Sequence, residues 1–244
     1  MTQRCQRAGP PAVGAGRVWV RHDRAVTDTR PSTPAAQREL VRRGYDAISH
    51  AYRGDDGSPA GTTAEETGRY AGWLAELADH LGEGASVLDL GCGAGVPAAR
   101  WLVDAGFVAT GVDISEVQIE RARRLVPEAS FVRADLAAFD AADASVDAVV
   151  SLYALIHVPL VDQRRLLPRV HRWLRPGGLL LAIVGHERWS GVEDYHGAPM
   201  FWDHADAGTY LRWLEADGFA IVWSRFVPEG ASGHELVLAR KIGA

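Results

Sequence analysis

Of the 244 residues only Cys5 and Cys92 are cysteines, so no disulfide framework is available. That scarcity fits a reducing compartment, and we expect a cytoplasmic protein. Lys241 is the sole lysine, which leaves nearly all basic charge to arginine. Long apolar runs are missing as well. The longest, Leu179 to Val184, has the length of a strand and falls far short of a membrane span. The first 30 residues contain arginines but no apolar h-region, so they do not read as a secretory signal. Internal repeats are also absent. The chain carries a net charge of −5. Its first 30 residues hold six arginines against Asp23 and Asp28, a local +4, so the remainder carries −9. An acidic body argues against a nucleic-acid backbone as the main partner, and no membrane partner is expected.

With 47% hydrophobic residues the chain can bury a sizeable core. Residues 1–34, rich in Gly, Pro, Arg and Thr, are expected to be a disordered tail. Ala36 to Tyr52 has helical spacing at Leu40, Tyr45, Ile48 and Tyr52. A loop follows from Arg53 to Gly61. Thr63 with Glu66 forms a capping-box pattern that opens a helix to about Leu81. Residues 35–82 are therefore expected to form a helical lid, and 83–244 the core. Strands are expected at Ser86 to Leu90, Phe107 to Val112, Ala129 to Ala134, Val146 to Leu152 and Leu179 to Val184. Helices are expected between them at Ala94 to Ala105, from Ser115 (a capping box with Gln118) to about Leu125, and from Asp162 to Leu174. Pro176-Gly177-Gly178 closes the last of these. Gly185 to Ala205 has no clear regular pattern, and structureless stretches of that length usually have a function. Asp206 is expected to cap a helix from Ala207 to Ala216. Phe219 to Phe226 and Glu235 to Arg240, joined by a turn at Val227 to Gly233, read as a final antiparallel pair. Alternating strands and helices imply an α/β fold, with a mostly parallel sheet and ligands beyond the carboxyl ends of its strands.

The most informative stretch is Val87-Leu88-Asp89-Leu90-Gly91-Cys92-Gly93-Ala94-Gly95. It reads as a buried strand running into a three-glycine turn, which lets a ligand approach the main chain closely. Asp113 ends the next strand, 22 residues past Gly91, where an acidic residue takes a ribose hydroxyl. The glycine spacing is G-x-G-x-G and not the G-x-G-x-x-G of dinucleotide sites. Asp89 sharpens the distinction. A carboxylate there would repel a pyrophosphate but suits a cation with a free amine, as in S-adenosylmethionine.

These motifs resemble the class I S-adenosylmethionine-dependent methyltransferases, and the feel is of the actinobacterial small-molecule type. VLDLGCGAG is similar to their first motif and Gly111-Val112-Asp113-Ile114-Ser115 to their second. Arg133-Ala134-Asp135-Leu136, the stretch Asp147 to Leu152 and the stretch Leu174 to Leu179 resemble those that follow. The resemblance runs from about Tyr45 to Lys241. It implies a Rossmann-like seven-stranded sheet, mostly parallel, with helices on both faces and an antiparallel C-terminal strand pair. It also implies S-adenosylmethionine as cofactor, held by Tyr45, Tyr52, Asp89, Gly91, Cys92, Gly93, Gly95, Asp113, Ile114, Ser115, Gln118, Asp135, Leu136 and Ser151. The expected activity is O- or N-methylation of a small-molecule acceptor, a specialised metabolite. Two alternatives stay open: a cofactor-binding cyclase without methyl transfer, and an NAD(P)-dependent reductase.

Catalytic candidates are His157, His204 and Tyr153. A histidine has a suitable pKa for a general base, although His157 reads more readily as a residue that caps or hydrogen-bonds the neighbouring loop. His196, Met200 and Trp202 are candidate acceptor contacts, although Met200 and Trp202 suit packing against a sheet edge as well. Asp203, His204 and Asp206 with His196 have ligand-type side chains. Their spacing fits no established metal cluster, so no metal is expected.

Overall fold

A computed structural model describes residues 31–55 and 64–243, with side chains from residue 68 in the second stretch. The expected tail up to residue 30 and the Thr63–Glu66 capping box lie outside the described residues.

The chain forms a seven-stranded sheet from β1 (Ser86–Leu90), β2 (Val108–Asp113), β3 (Ser130–Arg133), β4 (Val146–Ser151), β5 (Leu174–Gly185), β8 (Phe219–Glu229) and β9 (Ser232–Lys241). Its order is β3-β2-β1-β4-β5-β9-β8. The first five strands run parallel, and β9 is antiparallel to both β5 and β8. The Rossmann-like sheet and its final antiparallel pair are as expected. From β1 the chain builds outward to β3, then returns to place β4 on the other side of β1. The strand order therefore reverses between β1 and β4. A crevice opens at such a reversal, above the carboxyl ends of the strands.

Both faces of the sheet are covered, which is why β5 reads as an unbroken apolar run. The pleat sends alternate residues to opposite sides. Leu88, Leu90, Leu180 and Val184 pack with helices α5 (Leu160–Trp173) and α6 (Ala207–Ala216). Val87, Ala148, Leu179 and Leu181 pack with α2 (Ala64–Ala78) and α3 (Ala98–Asp104). The second half of the predicted lid, α2, is thus built into the core through Trp73, Leu74 and Leu77. Helix α4 (Glu116–Leu125) packs Ile119 and Ala122 against Phe131 of β3.

Asp206 caps α6 by accepting from Thr209 N, as its position suggested. Ser115 caps α4 by accepting from Gln118 N, but the reciprocal half of the expected box does not form. The Gln118 amide instead accepts from Ser49 Oγ at 2.8 Å, because the N-terminal helix lies over it. Two further expectations are corrected. Helix α3 begins at Ala98 and not Ala94, since Gly95 to Pro97 continue the turn. Gly185 to Ala205 is not a loop: it holds a separate hairpin, β6 (Trp189–Tyr195) and β7 (Ala198–His204). His196 (φ 55°) and Gly197 (φ 89°) form its two-residue turn, both at the positive φ such turns demand. Neither hairpin face is left to solvent throughout, so the sequence shows no clean alternation. Met200, Phe201, Asp203 and His204 of β7 are all buried.

Helix α1 (Pro34–Tyr52), capped by Thr33, lies across this hairpin. Val41 and Ile48 pack against Ala198, Met200 and Phe201. Contact is close at Gly44, where an added Cβ would stand 2.7 Å from Met200 Cε and 3.3 Å from Pro199 O. Gly44→Leu should therefore overpack the joint and lower stability by about 1–3 kcal/mol. Urea denaturation checks this, and a variant as stable as the parent would contradict the packing.

Candidate active site

The turn after β1 is fixed by hydrogen bonds before any ligand is considered. Gly91 N and Cys92 N both donate to Val112 O, at 2.7 and 3.1 Å. Gly91 has φ 78°, and a Cβ there would stand 2.1 Å from the Ala154 methyl. No side chain fits at that approach. Gly93 N donates to Asp113 Oδ2 at 2.9 Å, and Ser115 N donates to Asp113 Oδ1 at 2.9 Å. One carboxylate thus joins the glycine turn to the start of α4. Burial raises the Asp113 pKa to about 6 despite the lowering effect of those bonds.

Asp89, on β1, is 3% exposed. Its Oδ2 has no hydrogen-bond partner. Burial, reinforced by the Asp113 carboxylate, pushes its pKa up to about 7. A buried carboxylate oxygen without a partner is costly, and a cationic donor is what the position lacks.

Two adjoining clefts open here. The larger, of about 670 Å³, runs between α1 and the strand ends. The smaller, of about 410 Å³, lies beside Asp89. Tyr52, Gly91, Gly93, Gln118 and Leu152 border both. Asp113, Ile114, Asp135 and Leu136 line the larger cleft, together with Tyr45, Tyr153 and His157. The structure thus brings most of the sequence-nominated residues together.

Several others stand elsewhere. Cys92 borders the smaller cleft, but its side chain packs with Ile119, Val126 and Phe131. Burial pushes its thiol pKa up, so it is no thiolate. Gly95 lines neither cleft; a Cβ there would press on Phe131 and Val126. The Ser115 hydroxyl donates to Asp46 Oδ1 at 2.6 Å, and Ser151 Oγ donates to Leu90 O at 3.1 Å. Neither lines a cleft.

His204 is buried away from both clefts, with Nδ1 2.7 Å from Glu187 O. Burial lowers its pKa. Met200 is buried under α1, and Trp202 packs its ring 5.1 Å from that of His157. His196 turns the hairpin with its ring near Tyr52 and Tyr195. Among the described residues no group of three His, Cys, Asp or Glu side chains is placed to hold a metal ion. Among the same residues no helix is long and apolar enough to cross a membrane.

His157 sits in the short 3-10 turn after β4 and is 6% exposed. Its Nδ1 lies 2.7 Å from Phe201 O. A carbonyl only accepts, so Nδ1 carries the proton and Nε2 presents a lone pair. The Tyr45 hydroxyl donates to that Nε2 at 3.0 Å. Burial lowers the His157 pKa to about 4, so the ring is neutral at pH 7. Tyr153 takes φ 64°, strained for a bulky residue, and its hydroxyl donates to Glu229.

Sequence reasoning missed Arg38 and Val41, which line the larger cleft. They fall at helical spacing with Tyr45, so the same face was readable. Arg38 Nε lies 2.6 Å from Asp135 Oδ2, and its Nη1 pairs with Asp162. Arg53 and Tyr70, beside the smaller cleft, had no motif to reveal them.

Residues 87–178 match the family model of the methyltransferase domain. The chain is 34% identical to 27-O-demethylrifamycin SV methyltransferase of Amycolatopsis mediterranei over 158 residues, which covers 57% of this chain and 56% of that protein. Against the Synechocystis 2-methyl-6-phytyl-1,4-hydroquinone methyltransferase the identity is again 34%, over 58% of this chain and 46% of that protein. The chain thus spans about half the length of these curated relatives. Among solved structures, the Burkholderia thailandensis 1,6-didemethyltoxoflavin-N1-methyltransferase superposes with a TM-score of 0.68 at 23% identity, covering 89% of this chain and 94% of that one. At that identity the likeness is one of fold.

The Asp89 geometry makes a prediction for the ligand-free protein. Its folded pKa is raised, so its cost is absent near pH 4, grows as pH rises, and is complete above about 7. Asp89→Asn should therefore be more stable than the parent at pH 8 by about 1–3 kcal/mol, with the difference vanishing near pH 4. Denaturant melts at the two pH values check it; equal stability at pH 8 would show that Asp89 is not a strained charge.

Proposed function

We propose that this chain, whose residues 87–178 match the methyltransferase domain, is a class I S-adenosylmethionine-dependent methyltransferase that methylates an oxygen or nitrogen of a small-molecule acceptor, a specialised metabolite. The observation that carries the reading is Asp89 Oδ2, buried beside the glycine turn and without a partner. It fits the amine of the cofactor's methionine end. Asp113 would take the ribose hydroxyls, and Ile114, Asp135 and Leu136 the adenine. When bound, S-adenosylmethionine supplies an electrophilic methyl group on a sulfonium.

The protein's own share is positional. Helix α1 serves as a lid over the larger cleft. It is tied to the core by Ser115 on Asp46, by Ser49 on Gln118, and by Arg38 on Asp135. The acceptor would occupy the part of that cleft walled by Val41, Leu152, Ala154 and Val158. Shutting out water and holding the acceptor atom in line replace a bimolecular encounter with an oriented one. A proton leaving the acceptor has a path: to the Tyr45 oxygen, as Tyr45 passes its own proton to His157 Nε2. Phe201 O keeps His157 in the tautomer that this path needs. His204 has no place in it. The name of the rifamycin relative supports an oxygen acceptor.

Calorimetry with S-adenosylmethionine and S-adenosylhomocysteine tests the reading. Both should bind at micromolar concentration, and Asp113→Ala should weaken both beyond tenfold, about 1.4 kcal/mol. Product mass then tests the reaction: a gain of one methylene equivalent marks transfer, whereas an isomer would mark a cyclase. Binding of neither ligand by folded protein would overturn the proposal.

A further inference from the structure

Once Asp113, Asp135 and Gln118 are set apart for the cofactor, the polarity of the larger cleft restricts what the acceptor can be. Val41, Leu152, Ala154 and Val158 offer it hydrocarbon. Charge is no help to an anion there. Among the described residues Arg38 is the one cation lining the cleft, and Asp135 and Asp162 already hold it. Asp113 and Asp135 border the same space, so the cleft is negative on balance. The polar side chains on the acceptor side are engaged as well. Tyr153 donates its hydroxyl hydrogen to Glu229. Tyr52 turns its hydroxyl to Arg53, which borders the smaller cleft. His157 has Nδ1 on Phe201 O, and its Nε2 lone pair is taken by Tyr45 at 3.0 Å. The Tyr45 hydrogen is committed to that bond, so toward the cleft its oxygen offers only a lone pair. The acceptor side therefore presents a hydrogen-bond acceptor in an apolar wall, and no cation.

We infer that the acceptor enters uncharged, as an apolar body whose hydrogen-bearing oxygen or nitrogen is aimed at the Tyr45 oxygen, and that carboxylate acceptors are excluded. This rests on the reading of the site as an S-adenosylmethionine pocket. A carboxylate would set lone pair against lone pair at Tyr45, and it would lose its water without gaining a cation. A protonated amine has no lone pair to give and would face the cofactor's sulfonium. A hydroxyl or a neutral N–H instead donates to Tyr45. Its own lone pair takes the methyl carbon as the bond from that carbon to sulfur breaks. Its hydrogen passes to Tyr45 as the Tyr45 hydrogen passes to His157 Nε2. The positive charge lost at sulfur thus ends on His157, and the product leaves uncharged.

The test uses three probes with one apolar body: 2-naphthol, 2-naphthylamine and 2-naphthoate, of which only the last is charged at pH 7. Each is titrated calorimetrically into protein saturated with S-adenosylhomocysteine. Wild type is expected to bind the naphthol and the naphthylamine, and to bind the naphthoate weaker by about tenfold or more. His157→Phe removes the group that takes the Tyr45 hydrogen, so the hydroxyl can turn that hydrogen into the cleft. The naphthoate should then bind tighter than in wild type and the preference should shrink by about tenfold. A role for His157 in packing alone would not strengthen the binding of an anion. Tyr45→Phe keeps the ring and supplies the comparison if His157→Phe does not fold; it should lose the preference through weaker binding of the naphthol. Naphthoate bound by wild type as tightly as naphthol would overturn the inference. So would binding of none of the three probes, or a preference unchanged in both variants. These outcomes leave the cofactor reading standing as long as S-adenosylhomocysteine binds; if it does not, that reading falls and takes this inference with it.

Discussion

The carboxylate of Asp113 is the point on which the site hangs. Its two oxygens accept from Gly93 N and Ser115 N, so the glycine turn and the start of α4 are held at one distance from β2. Ser115 extends the connection: its hydroxyl caps α4 and donates to Asp46 of α1. A chain of two hydrogen bonds, through the backbone and then the hydroxyl of Ser115, therefore runs from the sheet to the N-terminal helix. Without it, the turn would lose the anchor of Gly93, and the helix over the larger cleft would lose one of its ties to the core. The cost is a buried carboxylate whose pKa is raised to about 6, which backbone donors only partly offset.

The site concentrates several groups held in unfavourable states. Asp89 is buried with an unpartnered oxygen, His157 is held neutral, and Tyr153 takes a left-handed backbone. The surrounding structure supplies the rigidity that such groups require. Trp173, Tyr210, Phe201 and Phe219 are fully buried, and β5 is covered on both faces. Strain of this kind persists only where neighbours over-determine it, and it gathers where a ligand is to be bound.

Much of this was legible in the sequence, for identifiable reasons. Strand β1 has the bounds read from its apolar run, and Asp206 caps the helix its spacing announced. The glycines and Asp113 could be read because a tight turn and a strand-end acid leave few substitutes. The hairpin at Trp189 to His204 could not, because α1 covers it and erases the period-two signal. Its turn is His196-Gly197, and histidine is not among the residues that advertise such turns. Met200 and Trp202 looked like pocket walls for the same reason: apolar residues in an unassigned stretch have no visible partner. Arg38 and Arg53 were hidden differently. Arginine is common in this chain, and nothing in its neighbours distinguishes one aimed into a cleft from one in solvent. Only the fold brings Arg53 and Asp89 to one space.

The central claim is that Asp89 is a carboxylate awaiting a cation, and pH reads it most directly. The affinity for S-adenosylhomocysteine should be followed by calorimetry from pH 5.5 to 7.5, below the range in which an α-amine loses its proton. With the Asp89 pKa near 7 in the ligand-free protein, affinity should rise as pH rises, and the rise should flatten in Asp89→Asn. An affinity independent of pH, or a rise as steep in the Asn variant, would contradict the account.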